Sequence, residues 1–169
     1  MAETQPGPTN GSGQPAGDPN QAPLIVKGQY VKDFSFENPN APEVFTNQGE
    51  QQPQVDINVN VEARRLSAGD YEVTLTIKVD AKSKDKPVFL CELAYAGVFQ
   101  LGTIIPQDQH QGVLLIECPR LLFPFARAII SDATREGGFP PLTLQPIDFF
   151  ALFQHQMQQQ GQGVVAPKV

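Results

Sequence analysis

The chain of 169 residues is poor in cysteine and in basic residues. Two cysteines allow at most one disulfide, which excludes the cysteine framework of a small secreted domain. Only 12 Lys and Arg stand against 18 Asp and Glu, for a formal net charge of −6. Nucleic-acid binding needs clustered basic side chains, so this charge argues against a nucleic-acid partner and suits a basic protein partner.

Long apolar runs are absent as well. No window approaches the roughly 18 consecutive apolar residues of a membrane helix. Residues 1–13 have neither the basic start nor the apolar stretch of a secretory signal. The sequence therefore predicts a cytoplasmic protein without membrane insertion.

Sequence motifs for catalysis and cofactor binding are also missing. There is no G-x-S-x-G, P-loop or dinucleotide fingerprint, and Cys91, Cys118, His110 and His155 lack metal-ligand spacing. Cys91 lies in an apolar segment, where a thiol behaves as a small hydrophobic side chain. Two alternatives stay open at this point: a cysteine-dependent enzyme, and a small-ligand-binding domain with an apolar cavity.

The two ends of the chain differ in composition from its middle. Residues 1–22 are rich in Pro, Gly, Gln and Asn without apolar periodicity, which predicts a disordered N-terminal tail. Residues 161–169 are expected to form a shorter flexible tail. A single folded domain is predicted between them, over residues 23–160.

Apolar and polar residues alternate through the first half of this domain, a pattern typical of strands with one buried face. The predicted strands occupy residues 29–37, 54–64, 71–82 and a segment that begins at Phe89. Short polar turns between the later strands favour antiparallel pairing, which allows the other face to remain wet.

Strand parity assigns side chains to the dry face or to the wet face of this predicted sheet. In the first strand, Tyr30, Phe34 and Phe36 share the dry face, and Lys32 interrupts the pattern. In the fourth strand, Cys91 falls on the dry face and Glu92 on the wet one.

The second half of the domain shows helical periodicity. Residues 109–117 can form a short helix, and Pro119 suits the first turn of a longer helix that begins at Cys118. Pro124 is expected to distort the early part of this helix. Strands followed by helices predict an α+β fold, in which a four-stranded antiparallel sheet packs against helices.

Four segments of the sequence are long and idiosyncratic. They are YVKDFSFENPNAP at 30–42, FLCE at 89–92, CPRLLFPFAR at 118–127, and residues 138–153, which begin GFPPL. Taken in order over about residues 24–160, they resemble the SecB family of bacterial protein-export chaperones.

The resemblance implies a fold and a function. It implies SecB-like subunits that pair their sheets and assemble as a dimer of dimers through the long helix after Cys118. It also implies an ATP-independent holdase that binds unfolded precursor proteins and delivers them to the translocase motor SecA for export. Such a chaperone uses no cofactor and is not an enzyme.

The resemblance further implies a set of SecA-facing residues. They are Asp33, Glu37, Leu90 and Glu92. Strand parity independently places all four on the predicted wet face. The basic zinc-binding tail of SecA would be attracted to these acids.

A client-binding groove is implied at the sheet edge, the loop over residues 139–145 and the last helix. The residues expected to line it are Val55, Ile57, Phe89, Phe139, Leu142 and Leu144. The family often has a Trp in the crossover after the first strand, whereas residues 46–52 contain no aromatic residue.

Overall fold

The computed structural model describes residues 22–46 and 53–161. Its strands and α-helices are β1 (Leu24–Glu37), α1 (Glu43–Thr46), β2 (Gln54–Arg65), β3 (Asp70–Ser83), β4 (Lys86–Leu101), α2 (His110–Gly112), α3 (Cys118–Glu136) and α4 (Phe149–Gly161). The two predicted tails lie outside the described residues except for Ala22 and Gly161, and the crossover lies outside them from residue 47 to residue 52.

The strands form one antiparallel sheet in the order β1, β4, β3, β2. The central strands β3 and β4 are joined by a tight turn in which Lys84 and Asp85 have φ angles of 49° and 65°. Positive φ at both central residues is typical of the hairpin turn that matches the natural twist of two strands. The predicted α+β fold with a four-stranded antiparallel sheet is confirmed.

One face of the sheet is buried beneath α3, which packs across β3 and β4. The buried residues of the two strands include Val73, Leu75, Ile77, Val79, Ala81, Phe89, Cys91, Leu93, Tyr95 and Phe99. The helix contributes buried residues at intervals of four, which are Cys118, Leu122, Ala126, Ile130 and Thr134. Complete burial of each large aliphatic side chain contributes about 1.5–3 kcal/mol, so this contact dominates the stability of the fold.

Gly97 of β4 allows α3 to approach the sheet closely. A Cβ atom at this position would lie 3.0 Å from a methyl carbon of Leu122 and 2.7 Å from the ring of Phe99. A glycine inside a strand often marks such a close approach.

The predicted dry-face position of Tyr30 is wrong, because β1 contains a bulge. The pairing of β1 with β4 shifts between Val31 and Asp33, so Lys32 has no partner on β4. An extra residue reverses the parity of the strand on one side of the bulge. Phe34 keeps its predicted face, opposite the fully buried Leu93, whereas Tyr30 turns to the wet face.

The helical segment before α3 is built from several types of turn. A 3₁₀ turn at Gln107–Gln109 leads into α2, and a π-helical segment at Val113–Glu117 leads into α3. Pro124 lies inside α3 on its exposed side. None of the described helices has both the length and the apolar character needed to cross a bilayer.

The chain after α3 is held in place by Thr134. Its buried hydroxyl accepts a hydrogen bond from the Leu142 N–H at 2.9 Å and donates toward the carbonyl oxygens of Ile130 and Ser131, which lie 3.1 Å and 3.0 Å away. This contact fixes the irregular segment between α3 and α4 against the end of the helix. Asp148 then caps α4, since its Oδ1 accepts from the N–H groups of Phe150 and Ala151.

Candidate functional site

The face of the sheet opposite α3 carries many carboxylates near the end of β1. Strand register arranges the side chains in three rows across β1, β4, β3 and β2. The rows are Glu37, Leu90, Asp80 and Asp56; then Ser35, Glu92, Lys78 and Asn58; then Asp33, Ala94, Thr76 and Asn60. These rows contain five carboxylates and one lysine, and we call them the acidic face.

An open depression of about 420 Å³ lies within the acidic face. Glu37, Asp80, Leu90 and Glu92 are among the residues that line it. The structure therefore brings three of the four residues expected to face SecA, which are Glu37, Leu90 and Glu92, around one depression. Asp33 lies one row beyond Glu92, on the same face.

Two carboxylates of the acidic face meet across neighbouring strands. Asp56 and Asp80 are directly opposite in the register of β2 and β3, an arrangement of like charges that destabilises a sheet. Lys82 offsets this repulsion, because its Nζ lies 2.7 Å from Asp80 Oδ2. The contact with Asp80 raises the pKa of Lys82.

A buried carboxylate joins three strands at the other end of the same face. Glu72 of β3 is only 5% exposed, and it accepts hydrogen bonds from Tyr30, Lys32 and Arg64. The nitrogen-to-oxygen distances are 3.0 Å for Lys32 and 2.9 Å for Arg64. The hydrogen bond from Tyr30, followed by that from Lys32, lowers the pKa of Glu72 to about 2.

The Glu72 network was not predicted from the sequence. The bulge in β1 turns both Tyr30 and Lys32 toward Glu72. Its sign in the sequence was Lys32 itself, a charged residue at a position that strict alternation assigns to the dry face. Arg64 could have been found, because it lies directly opposite Glu72 in the hairpin of β2 and β3.

Both cysteines belong to the core. Burial raises the pKa of Cys91 to about 11, and burial together with the nearby Glu117 carboxylate raises that of Cys118 to about 12. Both thiols are therefore protonated at neutral pH, the form in which cysteine is a poor nucleophile. Residues 22–46 and 53–161 contain no group of three or more His, Cys, Asp or Glu arranged to hold a metal.

Exposed apolar side chains lie on the outer side of α3 and on β1. Leu121 and Phe125 of α3 are 43% and 51% exposed, and Val31 and Phe34 of β1 are similarly accessible. Tyr95 connects the two groups, because it pairs with Val31 and stacks on the ring of Phe125 with centroids 6.2 Å apart. The lateral apolar surface is the name we give to the four exposed residues Leu121, Phe125, Val31 and Phe34.

Sequence comparison assigns the chain to a known family. The family model described as preprotein translocase subunit SecB matches residues 17–160. The chain belongs to the SecB family. It is accordingly a protein-export chaperone.

Relatives named protein-export protein SecB are similar over most of their length. The relative from Rhodopseudomonas palustris strain BisB5 is 49% identical over 91% of this chain and 96% of its own. The relative from Xanthobacter autotrophicus is 50% identical over 98% of this chain and 100% of its own.

A solved structure shares the fold at low sequence identity. It is the SecB-like chaperone of Mycobacterium tuberculosis in complex with a ChAD peptide from the HigA1 antitoxin. It matches with a TM-score of 0.61 and 15% identity, over 73% of this chain and 90% of that chain. This likeness supports the SecB fold of the chain.

The residues expected to line the SecB client groove differ widely in exposure. Ile57 is 47% exposed on the edge strand β2, whereas Phe89 and Leu144 are almost completely buried. Val55, Phe139 and Leu142 are half-buried. The client groove stays a prediction at all six positions.

An aromatic cluster joins two of these groove residues. The Phe139 ring lies 5.0 Å from that of Phe89 and 5.4 Å from that of Phe45, between ring centroids. Phe36 stacks on the other side of Phe89, at 5.6 Å. The cluster places the start of the 139–145 loop against the end of the sheet.

We expect Glu72→Gln to weaken the pH dependence of folding stability. The carboxyl pKa falls from its usual 4.5 to about 2 on folding, so its stabilisation is complete above pH 4.5 and is lost as the pH falls toward 2. At neutral pH the substitution removes the charged carboxylate that accepts hydrogen bonds from three side chains. It is expected to lower the free energy of unfolding by about 1–3 kcal/mol. Urea unfolding across this pH range measures both effects.

Glu62→Gln is the matched control, because Glu62 is an exposed carboxylate of β2 whose Oε1 accepts a hydrogen bond only from Asn60 among the described residues. It should leave the neutral-pH stability within about 0.5 kcal/mol of the wild type. Equal behaviour of the two variants would contradict the role of Glu72.

Proposed function

We propose that the protein is an ATP-independent holdase that keeps precursor proteins unfolded and passes them to SecA. The observation that carries this proposal is the separation of an acidic face from apolar binding residues on opposite sides of one sheet. Glu92 lies on the acidic face, whereas half-buried Phe139 packs against Phe89, whose side chain points to the other face of the sheet. One small domain can therefore present two surfaces of different chemistry.

Client binding is assigned to the groove residues around the aromatic cluster and the β2 edge. The apolar contacts are offered by half-buried Phe139 and Leu142 and by exposed Ile57. Such contacts do not require the client to place a charged group in one fixed geometry. Many weak apolar contacts, repeated over several subunits, tolerate clients of different sequence. Both thiols are protonated in the core, which supports a role in binding without catalysis.

SecA docking is assigned to the acidic face. Its five carboxylates exceed the single lysine of the same rows, so the face attracts a cationic segment. Such attraction raises the association rate and weakens as salt increases. Leu90 adds a half-buried apolar contact in the middle of the charges.

The lateral apolar surface is assigned to subunit assembly. An exposed apolar patch of this kind on a small domain is typical of an interface between proteins. Family membership supports a homotetramer, built as a dimer of dimers through α3.

We expect the purified protein to delay refolding of a slowly folding precursor at stoichiometric ratios without ATP. Recovery of precursor fluorescence measures the delay. Ile57→Ser should shorten it, because Ile57 lies exposed in the predicted groove. Leu66→Ser is the matched control, since Leu66 is 45% exposed but lies in the turn between β2 and β3.

Absence of a delay with every precursor tested would contradict the holdase function. An equal loss in the Ile57 and Leu66 variants would contradict only the location of the groove.

Charge reversal at Asp33 and Glu92 together is expected to abolish SecA binding while client binding persists. Two added lysines leave three carboxylates against three lysines in the three rows, which removes the net attraction for a cationic segment. Titration with purified SecA measures the first property, and the refolding delay measures the second. Glu136→Lys, at the exposed end of α3, is the control for each single reversal, because it makes the same change of charge away from the acidic face, and it should bind SecA normally.

Retention of SecA binding by the Asp33 and Glu92 double variant would reject the docking surface. Loss of both activities would instead indicate a misfolded sheet, which circular dichroism detects.

The native mass is expected to be about four times the 18.4 kDa of one chain. Phe125→Asp should lower this mass, because it places a carboxylate in the lateral apolar surface, where burial of an unpaired charge opposes association. Phe150→Asp is the control, since Phe150 of α4 is 50% exposed and lies outside that surface. Light scattering distinguishes the states, and a monomeric wild type would contradict the assembly.

A further inference from the structure

Lys78 lies in the middle row of the acidic face. It is directly opposite Glu92 in the register of β3 and β4, and its Nζ lies 2.9 Å from Glu92 Oε1. On its other side it faces the neutral side chain of Asn58. Lys78 is the single lysine of the three rows. Its ammonium group therefore already pairs with Glu92, a carboxylate that the docking partner is expected to bind.

The ion pair between Lys78 and Glu92 is accessible to solvent. The two side chains are 59% and 42% exposed, and exposed ion pairs contribute little net stability. A cation supplied by another protein can therefore replace the Lys78 ammonium without unfolding any part of the sheet.

A displaced Lys78 ammonium stays within the acidic face, because Asp80 carries a carboxylate in the neighbouring row of the same strand. Asp80 pairs with Lys82 through Oδ2 at 2.7 Å, while its Oδ1 has no hydrogen-bond partner among the described residues. A Lys78 ammonium that turns toward Asp80 is still close to the incoming cation and repels it. Lys78 also lines the depression that contains Glu37, Leu90 and Glu92.

We propose that Lys78 is an internal competitor that limits the affinity of the acidic face for a cationic partner segment. Docking then exchanges one ion pair at Glu92 for another, rather than adding a new one. This inference rests on the proposed docking of SecA to the acidic face, and it adds the residue that tunes that docking.

We expect Lys78→Gln to tighten SecA binding by about two- to fivefold, the effect of one exposed ion pair. The variant should also show a steeper loss of affinity with salt, because a new ion pair then forms on binding instead of an exchange. Lys78→Arg keeps the competing charge and should bind like the wild type. Titration of the full-length chain with SecA at low and at physiological ionic strength measures these effects.

Lys27→Gln is the matched control for net charge. Lys27 forms an exposed ion pair with Asp70 at 2.7 Å, at the opposite end of the sheet from Leu90. Lys27→Gln removes one positive charge, as Lys78→Gln does, but at a site away from the acidic face. An equal gain in the Lys27 and Lys78 variants would overturn the proposal, because net charge would then explain both.

A double-mutant cycle tests whether Lys78 acts through Glu92. In a Glu92→Gln background, the gain from Lys78→Gln should fall to less than half. An undiminished gain in that background, or unchanged or weaker binding by the single Lys78 variant, would overturn the inference.

The same experiments separate this inference from the docking proposal. If Glu92→Lys binds SecA as well as the wild type, the docking surface itself is wrong. If Glu92→Lys loses binding while Lys78→Gln gains none, the docking surface stands and only the role of Lys78 fails. An unchanged refolding delay of the client shows that each variant is folded.

Discussion

The register of β4 is the constraint on which the rest of the structure depends. Every second residue from Phe89 to Phe99 enters the core beneath α3, while Leu90 and Glu92 stay on the opposite face. A slip of one residue would exchange the two sets. It would bury the Glu92 carboxylate without a partner and expose four large apolar side chains, at a cost far above that of any surface contact.

The packing of α3 reinforces this register. The buried residues of the helix recur every four positions, and Leu122 meets the sheet at Gly97, where no side chain separates them. The apolar contacts of α3 thus specify which face of the sheet is wet. The acidic face is a consequence of core packing rather than a separately stabilised site.

The structure could be predicted from the sequence where neighbouring residues determine it. The hairpin of β3 and β4 has a two-residue turn, and apolar and polar residues alternate strictly along β3 from Tyr71 to Lys82. Parity therefore correctly separated Cys91 from Glu92, although β4 itself is almost wholly apolar. Parity failed in β1, because Lys32 is an extra residue in the strand. Its charge at a predicted dry-face position was a sign of this interruption, but the strand was still assigned one unbroken parity. The position of β1 beside β4 depends on contacts between residues far apart in the sequence, and the residues alone did not reveal it.

The burial of individual side chains could be predicted only with knowledge of the neighbouring strands. Glu72 falls on the wet face by parity, yet long side chains from β1 and β2 cover it almost completely. Helical periodicity in α3 was similarly ambiguous, because the helix has apolar residues on two sides. Only packing shows that Leu122 is buried and Leu121 is exposed.

The pleated sheet separates two kinds of attraction that respond to different conditions. Forces between exposed charges are screened within about 8 Å at physiological ionic strength, whereas apolar burial is strengthened by many salts. Backbone hydrogen bonds within the sheet form whichever side chains the wet face carries. Charge on the rows around Lys78 can therefore vary without disturbing Phe89 or the helix beneath it, so affinity for a charged partner and affinity for unfolded chains can be adjusted independently.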